Sequence, residues 1–358
     1  MNFPKLNIIG VMSGTSLDGI DLALVEFYFE NNIIKFNLID AKTVPYSNLW
    51  VEQLQSAYQA SAQEYFKLHH QFGLLISQEI KSFTQHTSIP IHYIASHGHT
   101  IFHQPQLGFT TQMGCGATIA ANTGISTICD FRSVDVAMGG QGAPLVPIGD
   151  RDLFAEHEAC LNIGGIANIS YTKQEKTSAF DICYANMVLN FLCHQLHLTY
   201  DDGGKIAQSG NVNEKLLQQL LGIQTHRQSL GRELFEEQIA PMLKASPISI
   251  EDKLSTCTEY TAHQIAQILH SENLQSVLIT GGGAYNHYLI KRLTQLYKGK
   301  IHIPEKTIIE FKEAIIFAYL GYLRVNQLIN TLQSVTLASA NSIGGCIYFG
   351  NNVSKING

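Results

Sequence analysis

Residues 10–27 read GVMSGTSLDGIDLALVEF, a small, hydroxyl-rich glycine loop set between two apolar runs with the look of strands. A phosphate loop of the Walker kind passes from strand into helix and ends Gly-Lys-Ser/Thr. This stretch has no lysine and continues into Leu22, Ala23, Leu24, Val25 and Phe27, the pattern of a strand. The loop is therefore expected to turn a hairpin. Backbone N–H groups near Gly14 and Gly19, with the hydroxyls of Ser13, Thr15 and Ser16, suit a chain of phosphates. Asp18 and Asp21 repel phosphate unless one of them orders Mg²⁺ or its water shell. A wide hairpin loop with no ligand is the competing reading, although its length exceeds the hairpin norm and asks for a reason.

Outward from that loop, 358 residues with 45% hydrophobic content allow two domains, each able to bury a core. A formal charge of −6 leaves no basic surface for nucleic acid, so a phosphate-bearing partner should be small. The opening MNFPKLNIIG lacks a basic region followed by a long apolar run, and no stretch approaches the ~18 apolar residues of a membrane span. The expectation is a soluble, cytoplasmic chain with no membrane partner. Seven cysteines, an odd number scattered without a CxxC pair, read as reduced core thiols rather than a disulfide framework or zinc site.

A weak internal repeat organises the chain. LNIIGV, the glycine loop, DLALVEFYFE and IIKFNLIDAKTV open the first half; EACLNIGG, a tight turn, IANISYT and TSAFDI open the second, before the helical pattern of ANMVLNFLCHQLHL. Each half thus begins strand, glycine turn, strand, strand, helix. An α/β protein of two similar lobes is expected, with boundaries at 1–150 and 151–358 and the two hairpins facing one another across a cleft. Chance likeness of two short hairpins is the alternative.

SHGHTIFHQP, residues 96–105, carries His97, His99 and His103 at even spacing, as if on one strand face. A metal reading competes there with histidines bonded to backbone or substrate, and no Cys or carboxylate cluster follows at ligand spacing. In DFRSVDVAMGGQGAPLVP, residues 130–147, a glycine cluster closed by Pro144 and Pro147 fits a shaped loop. Arg132 either pairs with Asp130 or Asp135 or reaches a carboxylate or phosphate on a ligand. Asp181, in TSAFDICYAN, stands before a helical run; helix capping and a general base projecting into the cleft are both open readings. VLITGGGAYNHYLIKR, residues 277–292, passes from strand to helix through Gly281, Gly282 and Gly283, where a flat base or phosphate can lie on bare backbone.

The segments GVMSGTSLDGIDLALVE, SHGHTIFHQP, DFRSVDVAMGGQGAPLVP, LNIGGIANIS, SLGRE and TGGGAYN, in this order along nearly the whole chain, resemble the anhydro-N-acetylmuramic acid kinase family. The resemblance implies an actin-like ATPase (ribonuclease H-like) fold, with two duplicated lobes around a nucleotide cleft. It implies a reaction in which ATP and water open the 1,6-anhydro ring of 1,6-anhydro-N-acetylmuramic acid while O6 is phosphorylated, giving N-acetylmuramic acid 6-phosphate in peptidoglycan recycling. Asp181 matches the family's water-activating aspartate. Gly14, Thr15, Ser16, Leu17, Asp18, Gly19, Ile20 and Asp21 match its first ATP loop, Gly164 and Gly165 its second phosphate turn, and Gly281–Gly283 its adenosine side. Thr100, Arg132 and Glu313 fall in matching segments as sugar-side or supporting groups. ATP and Mg²⁺ are the implied cofactors, the metal ligands are unassigned, and a homodimer is implied. The chain departs from the family where Ile182, Cys183, Tyr184 and Ala185 replace a glycine-proline-glycine type turn before Asn186, and where His99 and Phe102 stand for a usual glutamine and arginine.

Overall fold

The computed structural model describes residues 3–14, 17–223 and 230–351. Thr15 and Ser16 of the first loop lie outside the described residues. The chain forms two compact units, one of Met1–Leu153 with Phe311–Gly358 and one of Phe154–Glu310. Residues 311–358 therefore group with the first unit, unlike the continuous 151–358 lobe expected from the sequence. The physical reason is local: Gly10 and Ala95 in the first unit's sheet lie against Ala314 and Gly321 of the helix Lys306–Val325, at positions where an added Cβ would collide.

In the first unit, β1 (Leu6–Ser13), β2 (Gly19–Glu30) and β3 (Ile33–Pro45) form an antiparallel meander. Buried along almost all of its length, β1 pairs on its other side in parallel with β4 (Tyr93–Gln104). The hairpin strand β5 (Phe109–Met113) returns along the end of β4, and β6 (Ser126–Cys129) adds in parallel beyond it. A short strand, Cys346–Tyr348, closes that edge antiparallel to β6. On one face Ile9, Val11, Ile20, Leu22 and Ile94 pack with Phe72 and Ile76 of the helix Ala62–Thr84. Ser61 and Glu64 start that helix with reciprocal side-chain to backbone bonds, which satisfy otherwise orphaned N–H donors.

The second unit repeats the plan. β7 (Ala159–Ile163), β8 (Ile166–Lys173) and β9 (Lys176–Tyr184) form the meander, and β10 (Ser276–Thr280) and β11 (Lys300–His302) add in parallel beside β7. Leu161, Ile163 and Ile279 are fully buried with Leu254, Cys257 and Ile265 of the helix Ile250–Ser271. Read from the third meander strand, the sheets run β3-β2-β1-β4-β6 and β9-β8-β7-β10-β11. That common order, antiparallel then parallel, is the ribonuclease H-like one, and its recurrence establishes the duplication seen in the sequence. Among the described residues no helix is long and apolar enough to cross a membrane. The seven cysteines are free, and Cys346 is exposed rather than in the core.

Candidate functional site

In α/β sheets, ligand groups gather beyond the carboxyl ends of parallel strands, where loops carry unpaired backbone. In the first unit those ends are Ser13, the middle of β4, and Cys129. As expected, β1 and β2 form a hairpin, with Met12 opposite Asp21, and the described loop residues are Gly14, Leu17 and Asp18. Leu17 adopts a positive φ of 61°, and Asp18 is exposed. A Cβ on Gly19 would strike the Val44 carbonyl of β3, so that glycine is required by sheet packing whatever the loop binds. Ile20 points into the core, and Asp21 accepts a 2.6 Å bond from the Thr43 hydroxyl.

Ser13 anchors the loop through a buried relay. Its Oγ lies 2.5 Å from the Tyr46 hydroxyl and 2.7 Å from His99 Nδ1. Burial pushes the His99 imidazole down to about 4 and lifts the Tyr46 phenol, so both are neutral at pH 7. The Ser13 hydroxyl, which both donates and accepts, links the phenol to the imidazole nitrogen in one continuous chain of hydrogen bonds.

The three histidines do not share a face, contrary to their even spacing. His97 packs on Phe317 of the helix Lys306–Val325, whereas His99 packs on Phe72 of the opposite face. Gly98, at φ 73°, is the cause: it bulges β4 against Met113, and the β1–β4 register shifts there. His103 bonds Thr110 Oγ1 at 3.0 Å. Among the described residues no group of three or more His, Cys, Asp or Glu is arranged to hold a metal ion.

Arg132 pairs directly with neither Asp130 nor Asp135. Its Nε and Nη2 lie 3.0 and 2.9 Å from His97 Nε2, and its Nη1 donates to the Gly142 carbonyl at 2.6 Å. His97 Nδ1 bonds the Gly98 carbonyl at 2.9 Å and so carries the proton, which leaves Nε2 as the acceptor Arg132 needs. Burial and the adjacent guanidinium hold His97 well below its ordinary pKa. Asp135, fully buried, accepts the Gly142 N–H at 2.7 Å and the Thr336 hydroxyl at 2.6 Å. The Gly142 peptide is thus gripped on both sides, and residues 139–146 form the shaped loop expected of their glycines and prolines. Among the described residues, three of the five guanidinium N–H groups are engaged.

Glu313 is exposed between the buried Lys312 and Ala314. Desolvation raises its pKa first, Lys312 and Arg132 oppose that rise, and Asp21 and Asp150 add to it. Lys312 and Asp150 form a buried pair at 3.0 Å beside it. Thr100 is half-buried, 3.4 Å from Gln112 Nε2. The first unit therefore brings Asp21, Arg132 and Glu313 within electrostatic reach of one another.

In the second unit, Gly164 and Gly165 form the β7–β8 turn. Their carbonyls accept the N–H groups of Asn186 and Met187 at 3.1 Å each, which ties the turn to the start of the helix Asn186–Cys193. Gly281, at φ 80°, and Gly283 lie so close to Asn162 and Ile163 at the end of β7 that neither admits a side chain. Of the three, Gly282 alone would admit a Cβ, which would rest in ordinary contact 3.5 Å from Asn186 Nδ2. The two glycine elements and Asn186 thus meet at the carboxyl ends of β7 and β10.

Asp181 does not cap the following helix, whose N-cap is Ala185 without a side-chain bond. Its Oδ2 accepts the Leu230 N–H at 3.0 Å, and among the described residues Oδ1 has no partner. Burial raises its pKa, and the Leu230 bond offsets part of that rise. Where the family has a glycine-proline-glycine type turn, Ile182, Cys183 and Tyr184 continue β9 and are fully buried. Tyr184 Oη donates to the Gly231 carbonyl at 2.7 Å. Asp181 and Tyr184 together hold the Leu230–Gly231 segment, a link the sequence offered only as the nearby SLGRE motif.

Two ribonuclease H-like units, each opening with a glycine hairpin at its parallel-strand ends, have the duplicated plan of the actin-like fold. A profile of the anhydro-N-acetylmuramic acid kinase family matches residues 6–350, and the chain belongs to that family. Its relatives include the anhydro-N-acetylmuramic acid kinases of Shewanella denitrificans, 37% identical over 95% of this chain and 97% of the relative, and of Hydrogenovibrio crunogenus, 36% identical over 97% and 99%. A solved structure, the activator of 2-hydroxyisocaproyl-CoA dehydratase from Clostridium difficile with bound ADPNP, aligns over 90% of this chain and 96% of its own at 12% identity, with a TM-score of 0.46.

Proposed function

We propose that Asp181 is the base that deprotonates water for attack at C1 of 1,6-anhydro-N-acetylmuramic acid, while O6 takes the γ-phosphoryl group of ATP. The observation that carries this reading is the Asp181 carboxylate itself, with a pKa raised by burial, one oxygen held by the Leu230 N–H and the other without a partner among the described residues. A carboxylate of raised basicity, fixed but not saturated, is what general-base chemistry needs. The anhydro sugar has no free O6 hydroxyl. Cleavage of the C1–O6 bond must therefore accompany phosphoryl transfer: water oxygen bonds to C1 and gives a proton to Asp181, and the C1–O6 electron pair leaves with O6. O6 then attacks the γ-phosphorus and ADP departs.

Gly14, Thr15, Ser16, Leu17, Asp18, Gly19, Ile20 and Asp21 would line the ATP phosphates, Gly164 and Gly165 a second phosphate turn, and Gly281–Gly283 the adenosine. Arg132, with two N–H groups unengaged among the described residues, Thr100 and Glu313 are the sugar-side groups. Mg²⁺ is commonly held by one or two carboxylates together with phosphate oxygens rather than by a protein cage. Exposed Asp18 fits that mode. The ion, bound with ATP, would neutralise charge on the phosphates.

Turnover in ¹⁸O-water tests the coupling. Label should appear at C1 of the product and not in its phosphate, with O6 retained from the substrate. Label in the released phosphate without labelled sugar would mean plain ATP hydrolysis and remove the coupled reaction.

A further inference from the structure

Cys115, Cys129 and Cys346 come from three separate places in the chain and meet at one edge of the first unit's sheet. Cys346 begins the strand Cys346–Tyr348 and stands directly opposite Cys129, the last residue of β6. Residues so paired have Cα atoms about 4.5 or 5.5 Å apart, inside the roughly 4.4–6.8 Å that a disulfide spans. Their side chains leave the sheet on the same face. Cys115 precedes the helix Gly116–Thr123, and a Cβ added at Gly116 would lie 2.5 Å from the Cys129 sulfur. The thiols are graded by access: Cys346 is exposed, Cys129 half-buried and Cys115 buried. They also sense one another, since burial first, and then Cys346, Asp130 and Cys115, push the Cys129 thiol up to about 12. The phenol of Tyr348, two residues along the same face, is raised chiefly by Cys346.

We propose that Cys129 and Cys346 form a thiol-oxidation site, at which a peroxide closes a reversible disulfide across the sheet edge. In the first step the exposed Cys346 thiolate attacks hydrogen peroxide; an S–O bond forms, the O–O bond breaks, and the departing hydroxide takes up a proton as water. In the second the Cys129 sulfur attacks the Cys346 sulfenic acid; the S–S bond forms, the S–O bond breaks, and the Cys129 proton leaves with the oxygen as a second water. The balance is two thiols and one peroxide to one disulfide and two waters, with the sulfur pair giving up two electrons. The burial that keeps Cys129 protonated makes the second step the slow one, because the thiolate is the nucleophile. The bond adds a covalent tie between this three-residue edge strand and β6.

The test uses the native full-length chain, treated with hydrogen peroxide at neutral pH and quenched with an alkylating agent. Intact mass should fall by two hydrogens, and peptide mapping should join residue 129 to residue 346. Dithiothreitol should reverse the link, Cys346→Ser should prevent it, and Cys193→Ser, in the other unit, should not. Amide exchange at residues 346–348 should slow at least about tenfold in the oxidised form, as a local opening is suppressed. Sulfinic or sulfonic acid at Cys346 with Cys129 still open to alkylation would overturn the proposal, as would a 115–129 link or a 129–346 link seen only after denaturation.

Discussion

Asp181 shows how one side chain can be costly to the fold and useful to the reaction. Its pKa is raised above the ordinary aspartate value by burial, so the folded state disfavours its charged form. By linkage, such a group destabilises the fold once pH rises above its unfolded pKa and ionisation becomes the rule in the unfolded chain. Asp181→Asn should therefore retain or raise the melting temperature at pH 7, while turnover falls at least ~10²-fold because the amide takes no proton. In the wild type the acid limb of kcat/KM should lie above the usual aspartate range. A variant that keeps more than a tenth of wild-type turnover would take Asp181 out of the base role. The sequence offered the aspartate as a candidate because it stands directly before a helical run. Its partner was not legible, because Leu230 reaches it from 49 residues away.

At the scale of elements, three adjacent glycines have different reasons to be glycine. Gly281 combines a positive φ with a Cβ position 2.5 Å from Asn162 Oδ1, and Gly283 abuts Ile163. Gly281→Ala should cost about 1–3 kcal/mol of stability, read from the melting transition. Gly282→Ala should leave the melt unchanged and weaken ATP binding in calorimetry; unchanged binding would move the nucleotide off this turn. Hairpins and glycine turns are readable from sequence because their chemistry is local. The histidine pattern of β4 misleads for the opposite reason: spacing encodes alternation, and one bulged glycine at 98 reverses it. Likewise nothing in the sequence ties Arg132 to His97 in preference to the two aspartates closer along the chain.

For the molecule as a whole, the discontinuous first unit was the least legible feature, since no shift in composition marks where residues 311–358 return to it. The second unit is continuous and owns its core. Residues 154–310 produced alone should fold and melt in one cooperative transition by circular dichroism. Residues 1–153 alone should not, because the sheet face at Gly10 and Ala95 has lost the helix that covers it. A cooperatively folded 1–153 fragment would show that the helix adds little to that unit.

Translation is directional, and the first unit's two pieces are separated by the whole of the second. As the chain leaves the ribosome at about 5–20 residues per second, the middle is free to reach its native form while the N-terminal sheet still waits for a helix encoded almost at the far end. For the ~8–31 s needed to make residues 154–310 at that rate, the oldest part of the nascent protein carries an uncovered apolar face. Ribosomes stalled after residue 310 should accordingly carry a protease-resistant middle and a protease-sensitive beginning, so that the first residues made are among the last to be secured.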